Sequence, residues 1–244
     1  MIALAIILAV FAAIIAVLVS PERLGKYAGI LTVPLLLVGL YLGLVWAPPD
    51  AMMGDVQRIM YVHFPSWVAV GLSYTVGFGA SLLYLIKRET RFDDWAQAGI
   101  EVGLVFNITG LISGSLWGRP TWGVYWTWDP RLTSTAIMAV TFAGYLILRA
   151  FIEDPDTRAR IAALVATVGF VNVPIVYFSV KWWRTLHQQQ SSPQTVDPQM
   201  VFPLRFMMTA FALLACYLMS RRYLLARLSG SAEREALRME AVNG

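Results

Sequence analysis

Residues 28–47 read Ala-Gly-Ile-Leu-Thr-Val-Pro-Leu-Leu-Leu-Val-Gly-Leu-Tyr-Leu-Gly-Leu-Val-Trp-Ala, twenty positions without a charged side chain. At about 1.5 Å of rise per residue, a helix of that length crosses a hydrocarbon layer of about 30 Å. Similar apolar runs occupy roughly 2–19, 63–86, 97–117, 132–150, 161–181 and 204–220. Across the 244 residues, 58% are apolar and only 14% charged, whereas a soluble chain of this size needs a polar exterior. The expected fold is all-α: a polytopic integral membrane helical bundle of about six to seven transmembrane helices.

Short polar or proline-containing connections separate the runs, among them Ala47-Pro48-Pro49-Asp50 and Glu153-Asp154-Pro155-Asp156. Taken alternately, one set of connections holds 13 of the 19 Lys and Arg residues, including Arg23, Lys26, Lys87, Arg88, Arg149, Arg158 and Arg221. The basic set should face the cytoplasm. The net charge of +4 thus reports orientation and not a nucleic-acid partner. Segment 2–19 lacks a basic n-region and a small-residue cleavage site, so it reads as a first span with an outside N-terminus and not as a signal sequence. The single cysteine, Cys216, excludes an intramolecular disulfide and a CxxC pair, and reads as a packing residue. Beyond Arg221 the chain continues as a charged cytoplasmic tail, either a surface helix touching a partner or a solvated segment.

This orientation places eight of nine tryptophans at or near the outer ends: Trp46, Trp67, Trp117, Trp122, Trp126, Trp128, Trp182 and Trp183, with Trp95 alone inside. An interfacial belt would populate both sides. The two histidines, His63 and His187, also fall at the outer face and are expected in separate loops. Between them runs the outer loop 117–133, Trp-Gly-Arg-Pro-Thr-Trp-Gly-Val-Tyr-Trp-Thr-Trp-Asp-Pro-Arg-Leu-Thr. Four tryptophans and a tyrosine suit a shelf for a large flat apolar ring better than a solvated loop. Two imidazoles can fill the axial positions of a haem iron. Arg58, Arg119, Arg131 and Arg184 are outer cations able to pair with the propionates. Lys181 and Arg205 read as headgroup anchors. Asp129 before Pro130 also has the form of a helix cap. Within the spans, Asn107 reads as an interhelical hydrogen-bonding group, Glu101 reaches water near the inner end, and Pro34 and Pro174 kink their helices.

The ordered loop 117–133 is similar to the tryptophan-rich signature of the WWD family of haem-handling membrane proteins, which includes CcmC, CcmF and CcsA/CcsBA. Arg58-Ile59-Met60-Tyr61-Val62-His63-Phe64-Pro65 resembles the first histidine segment of the CcmC branch. Asn172-Val173-Pro174-Ile175 and Lys181-Trp182-Trp183-Arg184-Thr185-Leu186-His187-Gln188 resemble the second. The short length and two histidines favour CcmC over its larger relatives. Resemblance covers roughly 28–222, leaving 1–27 as an extra N-terminal span with a short inner loop and 223–244 as the tail; the family has six spans.

It implies haem b, with His63 and His187 as axial ligands and Trp117, Trp122, Trp126, Trp128, Asp129, Arg58 and Arg131 around the site. It further implies residence in the bacterial inner membrane and a haem site at the periplasmic face. The haem chaperone CcmE is the implied recipient, and CcmA, CcmB and CcmD are the implied complex partners. Such a subunit delivers haem and is not an enzyme. The sequence has no Walker A motif, so ATP hydrolysis would belong to a partner. Two other readings are a b-type electron-transfer subunit, whose histidines would sit deep within helices, and a solute transporter without haem.

Overall fold

A computed structural model describes residues 19–187 and 197–243. Helix α1 spans Arg23–Tyr41 and runs into a π turn at Leu42–Trp46. A 3-10 turn, Asp55–Ile59, leads into α2, Met60–Lys87. Then follow α3 (Thr90–Trp122), α4 (Pro130–Phe151), α5 (Pro155–Gly169), α6 (Asn172–Trp182) and α7 (Pro198–Asn243). Six helical segments are long and apolar enough to cross a membrane, α5 and α6 together forming one of them. Residues 2–18 of the expected span 2–19 lie outside the described residues.

The helix ends follow local chemistry. Asp129 caps α4 by accepting the Leu132 amide at 2.8 Å, and Asp154 caps α5 by accepting that of Thr157 at 2.7 Å. Each cap precedes a proline whose missing N–H costs nothing at a first helical position. The Thr157 side chain and amide hold the exposed Asp154 carboxyl below the ordinary carboxylate range. Gly123, at φ +81°, ends α3 in the left-handed region. Pro174 has no N–H to offer Phe170, and the helix breaks there into α5 and α6.

Two expectations change. His63 stands in the first turns of α2 and not in a loop, because the 3-10 turn Asp55–Ile59 runs straight into a helix that begins at Met60. Arg58 donates to the carbonyls of Gly43 and Ala47, and the Gln57 amide to Tyr61 Oη. The expected loop 117–133 is helical through Trp122 and again from Pro130, leaving 123–129 as the connection.

Helices α2 and α3 form the most extensive pair. A Cβ on Gly99 would lie 2.6 Å from Gly77 N and 2.7 Å from Ser73 O, so the two backbones meet only because residue 99 is glycine. At the end where α3 begins, Arg149 of α4 grips Asp93 of α3 through two bonds of 2.6 and 2.8 Å. Arg222 of α7 pairs with Glu101 of α3, and Arg158 of α5 with Glu233 of α7. The predicted tail is therefore helical, a continuation of α7 through Asn243.

Candidate functional site

At the opposite end of the bundle, a cavity of about 270 Å³ opens between α2, α3, α4 and α6. His63, Trp67, Trp117, Trp122, Arg131 and His187 all line it. Pockets enclosing a drug-sized ligand run to about 300–1,000 Å³, so a larger flat molecule would be gripped here by part of its face and left open at an edge.

His63 is 7% exposed. Its Nδ1 lies 3.1 Å from both Gly110 O and Ser113 Oγ on α3, and its Nε2 accepts the Trp67 indole N–H at 3.2 Å. The imidazole reaches α3 because residue 114 is glycine: a Cβ there would sit 2.8 Å from His63 Cε1. His187 follows α6, in a segment tied back by Asp129. One Asp129 oxygen caps α4, and the other accepts the Leu186 amide at 3.0 Å. The His187 amide in turn donates to Thr185 Oγ1 at 2.8 Å.

The two imidazole centres are 6.4 Å apart, with planes inclined at 27°. Two imidazoles on opposite sides of one metal, each at a metal–nitrogen distance of about 2 Å, hold their ring centres roughly 6 Å apart. Trp117 flanks His63 at 5.7 Å and Trp122 flanks His187 at 5.9 Å, both edge-on. Among the described residues no group of three or more His, Cys, Asp or Glu gathers to hold a bare metal ion. A pair of imidazoles instead suits a metal that carries four ligands of its own, as haem iron does.

The polar atoms agree. On residues that line the cavity, Trp117 Nε1 and one terminal Arg131 nitrogen are buried without a hydrogen-bond partner. Such atoms are rare in a finished interior and mark a place for an additional polar group. The residues present fit a haem with its carboxylates.

Of the four arginines considered, Arg131 lines the cavity. Arg58 serves the α1–α2 connection and pairs with Asp55, while Arg119 donates to Gly123 O and lies over the Tyr125 ring. Arg184 is exposed outside the lining. Trp126 lines the cavity; Trp128, 80% exposed, packs edge-on against Trp126. The residues missed by sequence reasoning are Gly110, Ser113 and Gly114, together with the hydrogen bond of Trp67. Their signal is the spacing Gly110-x-x-x-Gly114-x-x-x-Gly118, a small-residue stripe inviting a close neighbour.

Comparison with known proteins gives a consistent result. The family model described as "CcmC: Heme exporter protein C" matches residues 4–237. Over 188 residues the chain is 40% identical to "Heme exporter protein C" of Bradyrhizobium diazoefficiens, covering 75% of this chain and 71% of that one. Over 210 residues it is 34% identical to the Escherichia coli protein of the same description, covering 82% and 85%. A "Putative cytochrome c biosynthesis ccmC-like mitochondrial protein" of Marchantia polymorpha is 33% identical over 178 residues, covering 71% and 75%.

Proposed function

The chain belongs to the CcmC, heme exporter protein C, family, and from that membership we propose that His63 and His187 hold haem b between them for delivery to the chaperone CcmE. A multi-pass membrane protein of this family has its role in haem export and cytochrome c maturation, as a delivery subunit and not as a conventional enzyme. The observation that carries the site assignment is the pair of imidazoles, brought to 6.4 Å at the wall of one cavity.

In this reading, each residue has a physical task. His63 and His187 would hold the iron through one imidazole nitrogen each. Trp117, Trp122 and Trp126 give the macrocycle an apolar wall, and Trp128 stands at its exposed margin. Arg131 offers its unpartnered nitrogen to a propionate. Asp129 acts through backbone, tying the His187 segment to α4. Arg58 and Arg119 act by holding backbone near the site, and Arg184 stands exposed outside the lining. The open edge leaves haem accessible to a chaperone. The site faces the periplasm from the bacterial inner membrane, and CcmA, CcmB and CcmD supply the rest of the complex, with ATP hydrolysis coming from CcmA. The core unit is 28–222, flanked by 1–27 and 223–244. Both histidines lie at one end of the bundle beside exposed aromatics, which favours delivery over a b-type electron carrier.

The deciding measurement is the absorption spectrum of the detergent-purified protein with added haem, beside His63→Ala and His187→Ala. A bis-imidazole spectrum altered in both variants is expected. Identical spectra in the wild type and both variants would overturn the ligand assignment.

A further inference from the structure

Trp67 is absent from the tryptophan-rich segment 117–133, yet its indole touches the nitrogen that would bind iron. Two independent contacts assign the His63 tautomer. The Ser113 hydroxyl has one proton and gives it to Thr109 O at 2.7 Å, so it presents a lone pair to Nδ1. Gly110 O can only accept. Nδ1 therefore carries the imidazole proton. From the other side, an indole N–H can only donate, so Nε2 carries the lone pair. A ligating histidine needs this arrangement, with one nitrogen donating to an outer acceptor and the other free to bind metal.

The lone pair on Nε2 cannot serve Trp67 and iron together. We propose that Trp67 is a latch on the His63 ligand atom: its N–H occupies Nε2 until iron displaces it and takes the nitrogen back on release. This rests on His63 being an axial ligand. In the exchange one N–H···N bond breaks and one coordinate bond forms, with both electrons from Nε2. No proton moves, because the indole keeps its hydrogen.

The seat of the latch is built. A Cβ on Gly110 would lie 2.7 Å from Trp67 Cζ2, and one on Gly114 2.8 Å from His63 Cε1. These glycines, one helical turn apart on α3, admit the indole and the imidazole side by side. The consequence is a deliberately softened grip, suited to a protein that must hand its cargo on.

Trp67→Phe keeps an aromatic ring and deletes the donor. Haem titration of the full-length protein in detergent, with loss to excess apomyoglobin, should show about two- to ten-fold tighter binding and correspondingly slower release, the range one net hydrogen bond covers. Ser113→Ala removes an acceptor from Nδ1 and should act in the opposite sense, loosening haem and raising its reduction potential. Should Trp67→Phe not fold, ultraviolet resonance Raman of the wild type gives the same test: one indole N–H should lose its acceptor when haem binds. A Trp67→Phe protein that keeps a bis-imidazole spectrum but binds haem equally or more weakly overturns the latch alone. A His63→Ala protein whose spectrum with haem matches that of the wild type overturns the ligand assignment beneath it.

Discussion

Among individual residues, burial and prior engagement separate side chains of the same chemical type. Arg58 and Arg131 both carry a guanidinium near the cavity end, but Arg58 is spent on two carbonyls and Asp55, whereas Arg131 has a buried nitrogen without a partner. A charge-assisted hydrogen bond contributes about 1.5–3 kcal/mol. Arg131→Ala should therefore weaken haem binding about ten- to hundred-fold, and the loss should disappear with haem whose propionates are esterified. Equal losses with both haems would show that Arg131 meets no carboxylate. Asp129 shows the limit of reading a residue by its neighbours in the chain. Asp-Pro announces a helix cap, and the cap is present, but the second carboxylate oxygen holds Leu186, 57 positions away.

For the helices, the apolar runs were legible and their ends were not. The α3 helix continues through Gly118, Arg119 and Pro120, residues that look like a loop when only composition is considered. Arg119 stays with its own helix end by donating to Gly123 O. The pairing of α2 with α3 depends on Gly99 meeting the backbone of Gly77 and Ser73. Backbone atoms cannot rotate away as a side-chain tip can. Gly99→Leu should lower stability by about 3 kcal/mol, at the upper end of overpacking costs, as read from thermal unfolding in detergent. Gly144→Ala is the control: its Cβ meets nothing within 4 Å, and it should be neutral or slightly stabilising. A Gly99→Leu protein as stable as the control would mean that the helices meet elsewhere.

Across the whole molecule, the ion pairs that join distant helices and the tryptophan segment lie at opposite ends. The ion pairs Arg149–Asp93, Arg222–Glu101 and Arg158–Glu233 fasten α3, α4, α5 and α7 at one end, while the histidines and the tryptophan segment occupy the other. With 46 residues, α7 is about 70 Å long, more than twice a hydrocarbon core of about 30 Å, so it projects beyond the membrane at the charged end. Cys216 is 1% exposed and should be silent to a membrane-impermeant maleimide, which makes the wild type a usable background. Met52→Cys, replacing a residue 96% exposed at the aromatic end, should label on intact spheroplasts. Arg238→Cys should label only after permeabilisation. The reverse pattern would invert the proposed orientation.

The sequence by itself determined the membrane-spanning class, the segregation of basic residues from tryptophans, and the two histidines worth following. Those are properties of local runs and their order. Tertiary structure alone decided what each nitrogen of His63 meets, which arginine keeps a buried nitrogen without a partner, and what Asp129 holds. Each depends on a contact between distant residues, such as His63 with Gly110, that no periodicity along the chain encodes.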